Sequence, residues 1–253
     1  MPDDHRLAAI TASHAAELLN HLRRGQACNG QTLGALGDAH ANTLILDLLH
    51  AARPDDGFLS EESAPDPARL AKRRVWIIDP LDGTREYGET GRDDWAVHVA
   101  LTEDGAPTAC AVALPALSRV YSTADLPKLA PPPPGRLKIL VSRTRPPELA
   151  ARVAARLDAE LVPMGSAGAK AMAVLRGQAH AYLHAGGMNE WDTCAPVGVA
   201  LAAGLHASRI DGSPCVFNQP GVSMPDLLIC RPELADALLA AIAAEAGQDT
   251  ATD

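Results

Sequence analysis

Strand-length apolar runs alternate with helical patterns through the second half of this sequence, and that order constrains the fold more than any other feature. Runs typical of strands lie at 137–141, 161–164, 179–184, 205–210 and 227–230. Patterns typical of helices lie at 147–157, 166–176, 192–203 and 232–244. Because strands that alternate with helices of this length pack as layers, the second half predicts an α/β fold in which helices cover a sheet.

The first half begins with two amphipathic patterns, at 7–22 and 37–52, that predict helices. A turn at 53–57 and strand-type runs at 58–60, 75–78, 96–101, 109–114 and 120–122 follow, with a hairpin turn expected at 103–105. Four prolines and a glycine at 131–135 favour an extended linker. We therefore expect two subdomains, 1–130 and 136–253. The alternative is that 131–135 is a surface loop within one domain.

Composition excludes several functional classes. The chain has 253 residues and a formal net charge of −9, and such an anion is a poor general binder of nucleic acid polymers. Hydrophobic residues make up 47% and charged residues 21%, which excludes global disorder. The sequence has no apolar run long enough for a transmembrane segment and no secretory pattern at its start. The five cysteines, Cys28, Cys110, Cys194, Cys215 and Cys230, are widely spaced, so we expect reduced thiols and a cytoplasmic location.

Carboxylates directly follow two apolar runs of the first half. Glu61 follows the run at 58–60, and the run at 75–78 leads into Asp79 and Asp82, which are three residues apart. Side chains at the carboxyl ends of strands are where α/β proteins usually bind ligands. The sequence therefore predicts an acidic site at one edge of a sheet, although solvated loop acids are the alternative.

The residues between the two aspartates predict the local backbone. Pro80 cannot donate to a strand ladder, so the strand is expected to end at or near Asp79. Gly83 allows a tight turn after Asp82. The backbone N–H groups of this turn can form a small anion-binding nest for a phosphate group.

A further acid, Asp192, begins the helical pattern at 192–203. Taken alone, Asp192 is typical of a helix N-cap. Carboxylates that converge repel each other unless cations lie between them. An all-oxygen set suits Mg²⁺ or Mn²⁺ better than zinc, and two such ions can activate water for phosphate-ester hydrolysis.

Three segments together resemble the inositol monophosphatase superfamily of Mg²⁺-dependent, lithium-sensitive phosphatases. They are 58–63, 76–84 and 191–196. The run DPLDGTREY at 79–87 and the run EWDT at 190–193 are similar to the CysQ-type branch, which removes the 3′-phosphate of 3′-phosphoadenosine 5′-phosphate. The resemblance implies a layered α-β-α-β-α sandwich with two subdomains, two or three Mg²⁺ ions per site, replaceable by Mn²⁺, a possible homodimer and a role in sulfur assimilation.

The resemblance also implies roles for individual residues. Glu61, Asp79 and the carbonyl of Leu81 would hold one metal ion, and Asp79, Asp82 and Asp192 would hold another. Thr84 would position the attacking water and be oriented by an acid on an N-terminal helix. Asp38 has the matching spacing upstream of Glu61, which makes Asp38, Glu61 and Thr84 the expected catalytic set. The family pattern there is Thr-x-x-Asp, whereas this chain has Ala-Leu-Gly-Asp at 35–38.

The resemblance implies substrate contacts as well. The phosphate is expected over Asp82, Gly83 and Thr84, beside Asp192. The segment Gly165, Ser166 and Ala167, with Lys170 one turn later, resembles the branch's Gly-Ser-…-Lys segment and is expected to contact the nucleotide; a plain Ser cap and a solvated lysine are the alternative. For Arg85 two expectations stand: its guanidinium pairs with a phosphate group, or its side chain is solvated. The arginines at 143 and 145 hold the nucleotide or belong to a solvated loop, and His184 is expected to be structural.

The function expected from these residues is hydrolysis of the 3′-phosphate of 3′-phosphoadenosine 5′-phosphate, a small phosphorylated nucleotide, to AMP and phosphate. Activity on inositol 1-phosphate or fructose 1,6-bisphosphate is one alternative, with broad specificity included. A non-catalytic sensor that binds Mg²⁺ and nucleotide is an alternative of a different class.

Overall fold

The computed structural model describes residues 2–25 and 30–249, so Cys28 lies outside the described residues. The helices are α1 (Asp4–Gly25), α2 (Gln31–Ala52), α3 (Thr84–Gly88), α4 (Glu148–Arg156), α5 (Ala167–Leu175), α6 (Glu190–Ala202) and α7 (Ala235–Asp249). The strands are β1 (Gly57–Ser60), β2 (Arg74–Asp82), β3 (Ala96–Glu103), β4 (Ala106–Leu114), β5 (Arg119–Ser122), β6 (Lys138–Ser142), β7 (Glu160–Met164), β8 (Ala181–Asn189), β9 (His206–Ser208) and β10 (Ser223–Cys230). Every strand-type run of the sequence overlaps one of these strands.

The first sheet has the strand order β1-β2-β3-β4-β5. The pair β1 and β2 is parallel and the other pairs are antiparallel. The predicted hairpin turn joins β3 to β4 through Asp104 and Gly105, whose φ angles are 51° and 80°. Positive φ at both central residues is the geometry that matches the twist of a two-residue hairpin, which explains the Asp-Gly sequence.

The second sheet has the order β7-β6-β8-β10-β9. The strand β6 pairs in parallel with β7 and β8, and β10 pairs antiparallel with β8 and β9. Helices α4 and α7 pack together on the outer face of this sheet. Helices α5 and α6 contact strands of both sheets and therefore lie between them.

The apolar side chains of β2 show how the layers are assembled. Trp76 and Ile78 pack into the core formed with α1 and α2, whereas Val75 and Ile77 pack into the core formed with α5 and α6. Successive strand side chains point to opposite faces, so a continuous apolar run indicates a strand that is buried on both sides. The resulting order is α1 and α2, first sheet, α5 and α6, second sheet, α4 and α7, which confirms the predicted five-layer α-β-α-β-α sandwich.

The strand β2 corrects one expectation from the sequence. It continues to Asp82 instead of ending at Asp79, because its register with β3 shifts between these two residues. Pro80 and Leu81 of β2 lie opposite the single residue Val97 of β3, which is a β-bulge. A bulge leaves a residue unpaired, so the strand can contain a proline there without losing a ladder hydrogen bond.

Three helices begin earlier than expected, and the first of them, α1, begins at Asp4 instead of residue 7. The helix α2 starts at Gln31 instead of residue 37, and α6 starts at Glu190, so Asp192 lies inside the first turn and is not the N-cap. The helical pattern is weak before residue 37 because Gly34 and Gly37 lower helix propensity, so the sequence does not indicate the start of α2. A Cβ at Gly34 would lie 2.5 Å from Cγ2 of Thr84, and one at Gly37 would lie 2.9 Å from Cε1 of Tyr87. Both glycines are therefore required by close packing of α2 against α3.

The segment 131–135 separates the strands of the two sheets along the chain. The neighbouring Ala130 is bonded at both backbone groups, donating its N–H to Leu175 O and accepting from Arg231. The division into subdomains 1–130 and 136–253 stays a prediction.

Across the described residues, no helix has both the length and the apolar character needed to cross a membrane. Cys110, Cys194, Cys215 and Cys230 are buried free thiols, as expected from their spacing.

Candidate active site

A cavity of about 410 Å³ opens between the two sheets. Its walls come from both halves of the chain and include Glu61, Asp82, Gly83, Ser166, Lys170 and Asp192. Gly165, Ala167 and His184 also line it, together with Arg143 and Arg145. Most of the substrate-binding residues expected from the sequence therefore surround one space.

The bulge in β2 sets the positions of the first two aspartates. Asp79 is 1% exposed, and its Oδ1 accepts a hydrogen bond from the Leu81 N–H at 3.0 Å. Its Oδ2 is buried with no hydrogen-bond partner among the described residues. A buried carboxylate oxygen without a partner is costly, and a bound cation is one of the few groups that can satisfy it.

The acids Glu61, Asp79, Asp82 and Asp192 are close enough to repel one another, as the sequence analysis expected. Burial raises the pKa of Asp79 well above its ordinary value, and repulsion from Glu61, Asp82 and Asp192 raises it further. Glu61 is exposed at the edge of the cleft, yet desolvation there and repulsion from Asp82 raise its pKa to about 7. Burial and the same Asp82 raise the pKa of Asp192 to about 7.

Asp192 also stabilises the helix that carries it. It is the third residue of α6, and its Oδ2 accepts a 2.6 Å hydrogen bond from the Asn189 N–H, which precedes the helix. A carboxylate in the first turn interacts favourably with the helix N-terminus. The cap-like role considered from the sequence and a position in the acidic cluster are therefore both present.

Asp82 is held in place by the second half of the chain. Its Oδ2 accepts hydrogen bonds from the Ser166 hydroxyl at 2.5 Å and from the Gly168 N–H at 2.9 Å. Ser166 also caps α5, since its oxygen accepts the Ala169 N–H at 2.9 Å. The alternative of a plain Ser cap is thus present in the structure, together with a direct contact to the acidic cluster.

The structure adds a histidine that the sequence analysis did not include. His98 of β3 lies opposite Asp79 in the antiparallel register, and its Nε2 is 3.3 Å from Oδ2 of Asp82. Potential ligand atoms of Asp79, Asp82 and His98 all lie within 4.8 Å of one another. Burial lowers the pKa of His98, which favours the neutral ring. Sequence reasoning could have found this contact only by predicting how the runs at 75–78 and 96–101 pair, because that register places His98 opposite Asp79.

The water-positioning pair expected from the resemblance is assembled at the start of α3. The Thr84 hydroxyl donates a 3.1 Å hydrogen bond to the carbonyl oxygen of Leu81 and lies close enough to the Asp38 side chain of α2 to affect its pKa. Burial raises the pKa of Asp38 to about 7, and the contact with Thr84 opposes this rise. The structure therefore brings Asp38 next to Thr84, 46 positions away in the sequence.

Two cations of the expected substrate site have different surroundings. Lys170 is 4% exposed, and its Nζ donates to the carbonyl oxygens of Met164, Gly165 and Ser166 at 3.4, 3.2 and 2.7 Å. Burial lowers its pKa to about 8. Arg85, by contrast, is exposed on α3 and is not among the described residues that line the cavity.

Sequence comparison places the chain in a family. The sequence model of the inositol monophosphatase family matches residues 12–248. The chain belongs to the inositol monophosphatase family. This family member is 56% identical over 220 residues to a Mycobacterium bovis protein named 3′-phosphoadenosine 5′-phosphate phosphatase, covering 84% of this chain and 82% of the relative. It is also 35% identical over 194 residues to the Escherichia coli protein named 3′(2′),5′-bisphosphate nucleotidase CysQ, covering 72% and 78% of the two chains.

Solved structures agree with the family fold. An inositol monophosphatase from Zymomonas mobilis superposes with a TM-score of 0.77 at 23% identity, covering 95% of this chain and 97% of the other. CysQ from Bacteroides thetaiotaomicron superposes with a TM-score of 0.76 at 21% identity, covering 88% and 96%. Both confirm the predicted fold of this inositol monophosphatase family member.

Proposed function

We propose that this chain hydrolyses the 3′-phosphate of 3′-phosphoadenosine 5′-phosphate and releases AMP and phosphate. The observation that carries the proposal is the close approach of Glu61, Asp79, Asp82 and Asp192. Three of these acids, Glu61, Asp82 and Asp192, line one cavity between the sheets, and buried Asp79 lies next to them. The choice of substrate is supported by the relatives of that name, which are 49% and 56% identical to this chain. The ordinary function of such a cluster in this family is phosphate-ester hydrolysis.

Divalent cations fit the acidic cluster. The Oδ2 of buried Asp79 has no hydrogen-bond partner among the described residues, and the pKa values of Glu61 and Asp192 are raised. Both features are expected of carboxylates that are arranged around positive charge. We propose that Glu61, Asp79, the Leu81 carbonyl, Asp82 and Asp192 hold two or three Mg²⁺ ions, or Mn²⁺ in their place. When bound, such ions supply a water of lowered pKa and positive charge beside the phosphate oxygens.

Thr84 and Asp38 act on the attacking water in this proposal. A hydroxyl has one proton and two lone pairs, so Thr84, which donates to Leu81 in this structure, can turn its proton to Asp38 and still accept a hydrogen bond from water. The pKa of Asp38, about 7, suits a group that accepts a proton at neutral pH. Thr84 thereby orients the water, and as the water attacks, its proton passes to the Thr84 hydroxyl while the hydroxyl's own proton passes to Asp38.

The turn after Asp82 is proposed to receive the phosphate. Gly83 has φ +91°, and a side chain there would be strained and would crowd Asp94 and Trp95 at 3.3 Å. Gly83 lines the cavity, so its backbone is accessible to an anion that enters there. On the opposite wall, Ser166, Lys170 and Arg145 are proposed to contact the nucleotide.

The test of the proposed function is a phosphate-release assay with 3′-phosphoadenosine 5′-phosphate, inositol 1-phosphate and fructose 1,6-bisphosphate, each with Mg²⁺ and with EDTA. We expect the nucleotide to have the highest kcat/KM, and release to stop in EDTA. Asp82→Asn should abolish turnover while the far-UV circular dichroism stays that of the wild type. A preference for either of the other esters would refute the substrate, and a kcat of the variant within a few fold would refute the metal assignment.

The same assay tests the alternative of a sensor, and two further features, the oligomeric state and the location, are part of the proposal. A sensor without catalytic activity would bind the nucleotide with Mg²⁺ and release no phosphate in the same assay. A homodimer, as the family resemblance implies, predicts twice the chain mass in light scattering. The cytoplasm is proposed as the location because the four described cysteines are buried free thiols, which are typical of a reducing compartment.

A further inference from the structure

Arg143 lines the cavity, yet its guanidinium is already paired. Its Nε and one terminal nitrogen donate to Oε1 of Glu86 at 3.0 and 2.7 Å, and the same terminal nitrogen donates to Oε1 of Glu89 at 2.9 Å. Arginine prefers such multiple contacts with carboxylates because its donors form a planar fork. The two acids lie in and just after α3, whereas Arg143 follows β6, so the cluster joins the two halves of the chain.

Glu86 is the buried partner in this cluster. Its side chain is 8% exposed, compared with 41% for Glu89 and 27% for Arg143. Glu86 lies two residues after Thr84, in the same short helix. The backbone segment that Glu86 anchors is therefore the one that carries the hydroxyl that orients the water.

The segment after β7 packs around the same carboxylate. A Cβ at Gly165 would lie 2.4 to 2.8 Å from the side-chain carbons and Oε1 of Glu86, so only glycine leaves room for it. The backbone N–H of Arg143 donates to the backbone carbonyl of Met164, the residue before Gly165. Gly165 itself donates its N–H to Asp94 of the first half at 2.6 Å. Glu86 thus lies at a junction of three segments beside the cavity.

We propose that Glu86 and Arg143 are a positioning pair, which fixes the segment 82–88 against the second half and so sets the position of Thr84. This inference rests on the proposed function and deepens it. Arg143 then acts through Glu86 and does not bind the substrate. A guanidinium with two carboxylate partners already has its charge balanced, which makes it a poor ligand for a further anion.

A double-mutant cycle tests the pair. The variants are Glu86→Gln, Arg143→Met and the double variant, assayed with 3′-phosphoadenosine 5′-phosphate and with adenosine 3′-phosphate, which lacks the second phosphate. We expect each single substitution to lower kcat about tenfold on both substrates, with KM within about twofold. The double variant should have a kcat no lower than that of the slower single variant, because the effects of substituting two residues in one contact are not additive.

Two further variants separate positioning from stability. Arg143→Lys keeps the charge next to buried Glu86 and should fold even if Arg143→Met does not, with a kcat between those of the wild type and Glu86→Gln. Glu245→Gln is the matched control, since Glu245 is a buried acid that accepts a 2.6 Å bond from Arg156 between α4 and α7. It should lower Tm and leave kcat unchanged.

Hydrogen exchange gives a readout that does not depend on turnover. Amides of the segment 82–88 should exchange at least about tenfold faster in Glu86→Gln than in the wild type or in Glu245→Gln. A rise in KM confined to the substrate with two phosphates would instead make Arg143 a phosphate ligand and overturn the proposal. Unchanged exchange, additive losses of kcat, or a lower Tm with wild-type kcat would also overturn it.

The failure of the proposed function would be visible separately. If the wild type hydrolyses neither nucleotide, the substrate assignment fails, and the cycle is run with inositol 1-phosphate. If no ester is hydrolysed, the exchange rates of 82–88 alone decide whether the pair holds this segment.

Discussion

At the scale of single residues, the site depends on a few side chains that must lie within tenths of an ångström of their partners. Thr84 is the clearest case, because its hydroxyl contacts Leu81 and Asp38 while its methyl group packs against Gly34 of α2. The methyl contact holds the rotamer, and the hydroxyl supplies the chemistry. These two contributions can be separated by mutation.

Thr84→Ala is expected to lower kcat by about 10² or more, since removal of a group that assists proton transfer typically costs this much. Thr84→Ser keeps the hydroxyl and loses only the methyl contact, so its kcat should stay within about tenfold of the wild type. Steady-state kinetics at saturating Mg²⁺ measure both. Equal kcat for the two variants would contradict the role of the hydroxyl, and a large shift in the Mg²⁺ activation constant would make Thr84 part of the metal site instead.

At the scale of elements, α2 shows how tertiary contact overrides local preference. Its two glycines weaken the helix, yet they allow α2 to approach α3 closely enough for Asp38 to reach Thr84. The bulge in β2 acts in the same way, since it accommodates Pro80 between Asp79 and Asp82, and Asp82 lines the cavity. The glycines lower the stability of an isolated helix and the proline lowers that of an isolated strand. Each is tolerated here because a neighbouring element packs against it.

Gly37→Ala is expected to destabilise the protein by about 1–3 kcal/mol, although alanine normally favours a helix over glycine. The reason is that the new Cβ would lie 2.9 Å from Tyr87 and 3.1 Å from Leu19 and Leu81. Gly247→Ala in α7 is the matched control, because a Cβ there meets no atom within 4 Å, and it should leave stability unchanged or raised. Urea denaturation measures both, and a stabilising Gly37→Ala would contradict the packing of α2 on α3.

At the scale of the whole molecule, the acidic cluster links stability to pH and to cations. The pKa of Glu61 is raised from its ordinary value near 4.5 to about 7 in the folded chain, so folding favours its protonated form. The stability contributed by that proton is present at low pH and is lost as pH rises through about 7. Above neutral pH the metal-free protein therefore bears an uncompensated charge that the metal-bound protein does not.

Glu61→Gln removes that charge without changing the size of the side chain. In EDTA, its Tm relative to the wild type should rise between pH 5 and pH 8, because the wild type loses stability over this range. In Mg²⁺ the wild type should be the more stable at pH 8, because it keeps a ligand that the variant lacks. Thermal denaturation measures the difference, and a Tm difference that does not change with pH or Mg²⁺ would remove Glu61 from the cluster.

The sequence alone was sufficient for the order of elements, for the layered α/β class and for the acids that follow the strands. Apolar periodicity is a local property, and it is strong at 75–78 because both faces of β2 are buried. Asp38 was expected only from the family resemblance, through its spacing upstream of Glu61, and nothing local to α2 indicates a contact with Thr84. The late start assigned to α2 and the early end assigned to β2 were wrong because glycine and proline were judged by local preference.

Only the tertiary structure decided which distant residues meet. His98 joins Asp79 and Asp82 through strand register, and Glu86 meets Arg143 because the two halves close on one cavity. Such contacts depend on small rotations and shifts of whole layers, and no short segment of sequence carries that information. The chemistry of each side chain is set by its own atoms, whereas its pKa and its partners are set by what the fold places beside it.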